Sequence, residues 1–249
     1  MNEFNRLLKD AEQKFSGWDF SFISETERMR SGLLSWSYGS EARFLLSKSE
    51  AALDMGTGGG ELLAKLRPFP TQIAATEGYA PNFPIAQDRL EPLGVRVHFV
   101  EDDHDLPFEN EQFDLIINKH ESYSPSEVKR ILKQGAIFMT QQVGGLDNKQ
   151  INETLGVPLN EYKEWNLQNA VKELEEYRFK ILNKKEEFPI QRIYDIGALV
   201  YYLKAIPWQI PDFEVEEYEK ELYQIHQLIN QQGYFDVKQH RFFIKAMVE

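Results

Sequence analysis

The sequence predicts an α/β fold: a seven-stranded, doubly wound, mostly parallel sheet with an N-terminal helical cap and a helical insertion before the last strand. Two observations carry this prediction. Residues 1–48 show the apolar spacing of helices, and from residue 51 onward short β-rich runs alternate with helix-length segments. We expect one domain over residues 1–249, with the cap in 1–48, the core in 51–143 and the insertion in 193–233.

Seven strands are predicted, and the first five of them are short β-rich runs of the kind found in a covered sheet. The seven are residues 51–55, 72–76, 95–100, 113–118, 136–143, 179–188 and 237–248. Residues 160–176 place Leu167, Val171 and Leu174 at helical spacing, which indicates a crossover helix after the fifth strand.

Composition excludes several classes of protein. The chain has 42% hydrophobic and 27% charged residues, so a packed core is expected. It has no cysteine, which excludes disulfides, thiolate zinc sites and a cysteine nucleophile. The longest apolar stretch, residues 196–208, contains Lys204 and is shorter than the ~20 residues that cross a bilayer. The N-terminus lacks the pattern of a secretory signal, and we expect a cytoplasmic protein without a membrane partner.

The charge of the chain bears on its partners. It contains 28 Lys and Arg against 40 Asp and Glu, a formal net charge of −12. Such a chain repels phosphate backbones, which argues against nucleic acid as a partner, although a local basic patch could outweigh the mean. The sequence gives no indication of the oligomeric state.

A glycine-rich turn follows the first predicted strand and leads into a predicted helix. Its glycines, Gly56, Gly58 and Gly60, can adopt positive φ and let a ligand approach the backbone closely, which predicts a nucleotide-like ligand. In a dinucleotide site the third glycine would stand at position 61, which is Glu61 here. Carboxylates at Asp54 and Glu61 would repel a diphosphate, whereas Asp54 suits a ligand that carries an ammonium and a sulfonium.

The turn resembles the first motif of the class I, Rossmann-like S-adenosylmethionine-dependent methyltransferases, acidic-x-G-x-G-x-G. The resemblance implies that S-adenosylmethionine is the cofactor and that this loop cradles its methionine part. The residues that it assigns to the loop are Asp54, Met55, Gly56, Thr57, Gly58 and Gly60. No metal is implied, and the sequence shows no compact ligand cluster that would require one.

Two further segments resemble the same family. Glu77, followed by Gly78, ends the second strand about 20 residues after the turn, where an acid can accept hydrogen bonds from ribose hydroxyls. Asp102 and Asp103 precede a Leu-Pro-Phe segment, and the resemblance implies that the Asp102 carboxylate and the Asp103 N–H contact the adenine. Residues 127–136 resemble the family's E-x-x-R-x-L-K-x-G-G element, with alanine in place of the last glycine.

The segment after the fourth strand lies where open α/β sheets bind ligands. We assign Asn118 to the cofactor and His120 and Glu121 to catalysis, with His120 as general base and Glu121 orienting it or binding a cationic acceptor. A purely structural role for His120 beneath the cofactor is an equal alternative. The segment lacks the N-P-P-[YF] pattern of amino-group methyltransferases, which argues against adenine, glutamine or cytosine as acceptor.

The sequence therefore predicts methyl transfer by in-line displacement to a small-molecule acceptor. An RNA-base methyltransferase and a non-catalytic S-adenosylmethionine-binding protein are the alternatives. Several aromatic and amide side chains could line the acceptor pocket, although aromatic residues at such spacings more often belong to a core. They are Trp36, Tyr38, Gln141, Gln142, Tyr194, Tyr201, Tyr202 and Trp208.

Overall fold

A computed structural model describes residues 2–15 and 18–249. Contacts between Cα atoms divide the chain into two compact units. The small-sheet unit comprises Met1–Leu34, Gly144–Trp165 and Glu187–Arg241, and the large-sheet unit comprises Ser35–Val143, Asn166–Glu186 and Phe242–Glu249. Residues 1–34 of the predicted cap and the predicted insertion thus supply most of the small-sheet unit, whereas residues 35–48 of the cap belong to the large-sheet unit. Their assignment to a single methyltransferase domain stays a prediction.

The strands and helices are numbered in chain order. The strands are β1 (Met29–Ser31), β2 (Ala51–Met55), β3 (Gln72–Glu77), β4 (Arg96–Phe99), β5 (Phe113–Lys119), β6 (Leu132–Val143), β7 (Phe179–Glu187), β8 (Ile190–Ile193), β9 (Phe235–Lys238) and β10 (Arg241–Val248). The α-helices are α1 (Glu3–Asp10), α2 (Ser21–Ser24), α3 (Tyr38–Leu46), α4 (Glu61–Lys65), α5 (Phe83–Leu90), α6 (Pro125–Ile131), α7 (Lys149–Leu155), α8 (Leu167–Glu176), α9 (Ile196–Ala205) and α10 (Glu219–Gln232). Short 3-10 helices cover Glu91–Leu93, Glu161–Glu164 and Val215–Tyr218.

The large-sheet unit contains the predicted seven-stranded sheet, in the order β4-β3-β2-β5-β6-β10-β7. Strands β2 to β6 pair in parallel, and Asp54 lies opposite Ala75 on β3 and Ile117 on β5. The chain runs outward through β3 and β4 on one side of β2 and through β5 and β6 on the other. The order therefore reverses between β2 and β5, and ligands bind at the carboxyl ends of strands at such a switch point.

Strand β2 shows why this sheet forms from these residues. All five of its residues are buried, as expected for a parallel strand covered on both faces. Ala52 packs in one core cluster with Leu63 of α4 and Leu90 of α5, and Asp54 is the only ionisable residue of the strand. Burial of an acid here needs an explanation other than packing.

The small-sheet unit contains a second sheet, in the order β1-β8-β9, with antiparallel pairing throughout. Its core includes α9, which lies in the apolar stretch of residues 196–208 and has nine of ten residues buried. The sequence did not predict this sheet, because its strands have only three or four residues and β1 pairs with a strand more than 150 residues away. No helix among residues 2–15 and 18–249 is long and apolar enough to span a membrane.

The prediction of one continuous last strand over residues 237–248 is wrong. The chain leaves β9 at Lys238 and enters β10 at Arg241, and the two strands belong to different sheets. Between them, the Gln239 N–H donates to the Pro189 carbonyl and the His240 N–H donates to Asp147 Oδ1, at 2.8 and 2.7 Å. These bonds to other segments divert the backbone from continuous pairing.

Candidate functional site

The glycine-rich loop joins β2 to α4 at the carboxyl end of the sheet. Gly56, Gly58 and Gly60 have φ values of 65°, 63° and 80°, in the left-handed region that favours glycine. The Thr57 N–H donates to the carbonyl of Thr76 at 2.9 Å, which ties the loop to the end of β3. The predicted glycines are therefore required by the backbone conformation.

The side chain of Glu121 lies directly against this loop. A Cβ on Gly56 would collide with Cβ, Cγ and Oε2 of Glu121, and a Cβ on Gly60 would collide with the side chain of Leu90. The absence of a side chain at position 56 therefore lets a carboxylate from the end of β5 meet the end of β2. The structure thus joins two of the predicted site segments.

Asp54 is buried at the end of β2, with 8% of its surface exposed. Burial raises its pKa to about 7, with Thr57 and Lys119 acting in the opposite direction and Glu77 adding to the rise. The hydroxyl of Tyr38 is buried near this carboxylate, and burial together with Asp54 raises its pKa. Within the described chain this hydroxyl has no hydrogen-bond partner. Such an unpartnered buried donor is costly unless a ligand or water binds it.

Glu77 ends β3 and is 4% exposed. Its Oε1 accepts a hydrogen bond from the Tyr79 N–H at 2.8 Å. Burial raises its pKa, and the backbone N–H groups of Tyr79, Gly58 and Gly78 act against the rise. Gly78 also allows close contact with the carbonyl oxygen of Val100, where a Cβ would collide. The ends of β2, β3 and β4 therefore meet around one carboxylate.

The two predicted adenine contacts differ in environment. Asp102 is exposed, and the His104 N–H donates to it at 2.9 Å, which lowers its pKa. Asp103 is half-buried and accepts a hydrogen bond from the Ser122 hydroxyl, and burial raises its pKa. The Asp103 side chain therefore connects the loop after β4 to the loop after β5.

Asn118 is completely buried at the end of β5. Its Oδ1 accepts hydrogen bonds from Thr140 Oγ1 at 2.9 Å and from Gln142 Nε2 at 2.8 Å. Gln142 Nε2 also lies 2.8 Å from the carbonyl oxygen of Glu121. Asn118 thus binds Gln142, which in turn donates to the loop that carries Glu121.

The two predicted catalytic side chains have different neighbours. His120 is exposed and has φ 63°, its N–H donates to the Gln141 carbonyl at 2.8 Å, and its Nε2 lies 3.0 Å from Gln141 Nε2. Glu121, by contrast, lies against Gly56. Burial raises the pKa of Glu121 to about 7, and Asp103 and Glu77 add to the rise.

Carboxylates of raised pKa thus converge at the carboxyl ends of four neighbouring strands: Asp54, Glu77, Asp103 and Glu121. This arrangement favours a ligand that brings positive charge or donates hydrogen bonds. Across the described ranges, no group of three or more His, Asp or Glu side chains could hold a metal ion. Sequence reasoning did not connect Tyr38 with Asp54, because only the fold brings α3 beside β2.

Comparisons with known proteins agree with this geometry. Residues 52–138 match the model of a family described as a methyltransferase domain. A comparison with curated protein sequences finds no match.

Similar solved structures include a candidate methyltransferase from Bacillus halodurans, at 16% identity and a TM-score of 0.59, over 84% of this chain and 98% of that one. The [4+2]-cyclase SpnF is similar at 14% identity and a TM-score of 0.56, over 98% and 92%. Geranyl diphosphate methyltransferase, solved with S-adenosylmethionine, is similar at 16% identity and a TM-score of 0.50, over 85% of each chain.

The strand order, the glycine-rich loop at the switch point and the match over residues 52–138 lead to one assignment. The chain has the fold of the class I S-adenosylmethionine-dependent methyltransferases, and residues 52–138 match the family model of a methyltransferase domain.

Proposed function

We propose that this protein transfers the methyl group of S-adenosylmethionine to a small-molecule acceptor at the carboxyl end of the large sheet. The observation that carries the proposal is the glycine-rich loop flanked by two buried acids, Asp54 and Glu77. A sulfonium and an ammonium would offset the charge that these acids bring into a buried site.

The amino-acid part of the cofactor fits the end of β2. Asp54 supplies negative charge for the ammonium, and the Tyr38 hydroxyl, which has no partner within the described residues, supplies a donor for the carboxylate. Gly56 and Gly58 let the cofactor approach the backbone closely. Met55 and Thr57, which alternate with these glycines, belong to the same binding loop. A zwitterionic ligand would pair its carboxylate with this donor and its ammonium with the buried acid.

The nucleoside part fits the ends of β3 and β4. A carboxylate has about four acceptor positions, so Glu77 can receive ribose hydroxyls in addition to its backbone donors. Gly78 keeps this strand end close to the neighbouring strand. Asp102 and Asp103 follow β4, and we assign the exposed carboxylate of the first and the N–H of the second to the adenine.

The bound cofactor supplies an electrophilic methyl group on a sulfonium. The residues of this chain contribute position, exclusion of water and transfer of a proton, since charge is dispersed when a neutral thioether leaves. Glu121 is placed to accept the proton of the acceptor, because its carboxylate lies against the loop and burial has raised its pKa to about 7. His120 directly follows β5, and the Asn118 amide donates to the Ser122 carbonyl of the same loop at 3.4 Å.

The charge of the protein favours a small acceptor over nucleic acid. The net charge of −12 and the acids around the loop repel phosphates. Because a [4+2]-cyclase has the same fold, methyl transfer must be measured directly. A non-catalytic cofactor-binding protein is the outcome to be distinguished from an enzyme.

Isothermal titration with S-adenosylmethionine, S-adenosylhomocysteine and NADH tests the proposal. We expect both sulfur ligands to bind with Kd on the order of micromolar and NADH not to bind. The Asp54→Asn variant should bind more weakly than wild type, and Glu50→Asn, a change of an exposed acid at the amino end of β2, serves as control. Absence of binding by the folded wild type would refute the proposal. Binding without methyl transfer to any amine, hydroxyl, thiol or carbon acid would favour the non-catalytic alternative.

A further inference from the structure

Three side chains form a hydrogen-bonded series in the large-sheet unit. Trp36 Nε1 donates to Gln141 Oε1 at 2.8 Å, and Gln141 Nε2 lies 3.0 Å from His120 Nε2. An indole N–H can only donate, so the Gln141 oxygen must face Trp36. The amide nitrogen of Gln141 therefore faces His120.

This orientation determines where the imidazole of His120 holds its proton. An amide NH₂ can only donate, so His120 Nε2 must accept from Gln141. A neutral imidazole that accepts at Nε2 carries its proton on Nδ1. An imidazolium would place a second N–H opposite the amide NH₂, so it does not suit this arrangement.

The backbone fixes the same side chain. The His120 N–H donates to the Gln141 carbonyl at 2.8 Å, so Gln141 holds both the main chain and the ring of His120. Lys119 is paired with Gln141 in the sheet, and His120 then turns into the left-handed region at φ 63°. Non-glycine residues in this region are uncommon and cluster at functional sites.

We propose that Trp36 and Gln141 are positioning residues that hold His120 as the neutral Nδ1–H tautomer, in which Nε2 is not available as a general base. Glu121 then remains as the proton acceptor. The role in methyl transfer rests on the proposed function, whereas the tautomer does not. The inference replaces the sequence-based hypothesis that His120 is the base.

The test is ¹⁵N NMR of the full chain labelled at histidine, which separates protonated from unprotonated ring nitrogens. Comparison with His120→Gln identifies the signals of His120 among the five histidines. At about pH 7 we expect a protonated Nδ1 and an unprotonated Nε2. A protonated Nε2, or rapid averaging of both tautomers, would overturn the inference.

Gln141→Glu is the matched variant. A carboxylate accepts from Trp36 and presents a second acceptor to His120, so the proton should move to Nε2 or the ring should become an imidazolium. Gln72→Glu, at an exposed position at the amino end of β3, should leave the His120 signals unchanged. An unchanged tautomer in Gln141→Glu would also overturn the inference.

Trp36→Phe provides a second route if Gln141→Glu does not fold. Without the indole donor the Gln141 amide can rotate, so the single tautomer of His120 should be lost. Retention of the wild-type signals in this variant would contradict the proposal that Trp36 and Gln141 position His120. Failure of cofactor binding in the titration above would instead refute the proposed function and leave these signals unaffected.

Discussion

Acids that are partly or fully buried have different partners in the small-sheet unit and at the carboxyl ends of the large sheet. In the small-sheet unit they pair with arginines. The pairs are Arg28–Asp195 at 2.6 Å, Arg192–Asp236 at 2.7 Å, and Arg241–Asp147. At the carboxyl ends of the large sheet, burial raises the pKa of Asp54 and Glu121 to about 7. Of the groups that shift the pKa of Asp54, Lys119 alone is a cation, and it lowers that pKa.

Under the proposed function, the difference separates acids that stabilise the structure from acids that would bind the cofactor. Even Asp147, whose pKa burial raises, has Arg241 and the His240 N–H as partners. A buried carboxylate without such partners costs stability in the free protein, and that cost is retained where function requires it. The comparison therefore predicts opposite signs for substitutions in the two units.

The largest effect is expected for Asp195→Ala in the small-sheet unit. Asp195 binds Arg28 through two hydrogen bonds, at 2.8 and 2.6 Å, and also caps α9 by accepting from the Ala198 N–H. Its loss leaves a mostly buried guanidinium without a partner, and should lower the free energy of unfolding by about 3 kcal/mol. Urea denaturation measures this, with Glu153→Ala of the exposed Lys149–Glu153 pair as a control that should cost less than about 0.5 kcal/mol. A loss below about 1 kcal/mol would mean that the ion pair is not structural.

The next effect concerns the glycine-rich loop. Gly56→Ala adds a Cβ that collides with Glu121, and it also strains a backbone at φ 65°. We expect binding of S-adenosylhomocysteine to weaken by about 100-fold, equivalent to about 2.7 kcal/mol. Gly135→Ala is the matched control, because Gly135 has φ 75° but nothing within 4 Å of an added Cβ. Both variants should lose stability, and equal affinity in the two would show that crowding at the loop is irrelevant to the ligand.

The sequence was sufficient to predict those parts of the fold and the site that depend on residues close together in the chain. The loop after β2 was predicted because strand, glycines and acid stand within a few residues. Six strands of the large sheet were predicted as separate runs, whereas β10 was predicted only as part of the longer run 237–248. Glu121 was proposed as a site residue from its place after the fourth predicted strand, and this stays a prediction. Its raised pKa could not be predicted, because Glu77 and Asp103 reach it only through the fold.

Long-range contacts account for what was missed. The small sheet depends on contacts such as Gln191 with Met29, 162 residues apart. The bond between Trp36 and Gln141 spans 105 residues, so no sequence pattern could have suggested that His120 is held as one tautomer. Polar residues with specific long-range partners are thus the part of the site that periodicity does not reveal.

Glu121→Gln should stabilise the protein, in contrast to Asp195→Ala. The folded-state pKa of Glu121 is raised to about 7, above its ordinary value of 4.5, so the folded protein holds the proton more tightly. Stability therefore falls as pH rises from about 4.5 to about 7, and the neutral glutamine removes this loss. The full shift corresponds to about 3 kcal/mol, and because Glu121 is partly exposed to solvent we expect a gain of about 1 to 2 kcal/mol at about pH 8 and little gain at about pH 5. Thermal unfolding at both pH values measures it.

The control for this variant is Glu50→Gln, an exposed acid next to the amino end of β2. It should change stability by less than about 0.5 kcal/mol at either pH. If Glu121→Gln is instead destabilised at high pH, its carboxylate has a structural partner, and the comparison between the units fails at this residue.

The smallest effect is expected at Asp102, which is exposed and engaged by the His104 N–H. A hydrogen bond from the adenine amino group to an exposed carboxylate competes with water, so Asp102→Ala should weaken cofactor binding by only about fivefold. Asp103→Ala should weaken it more, because this side chain also joins the loops after β4 and β5 through Ser122. Calorimetric titration of both variants ranks them, and Asp105→Ala, an exposed acid in the same loop, is the control. If Asp102→Ala weakens cofactor binding more than Asp103→Ala, the affinity depends more on direct contact with the adenine than on the buried acids of the site.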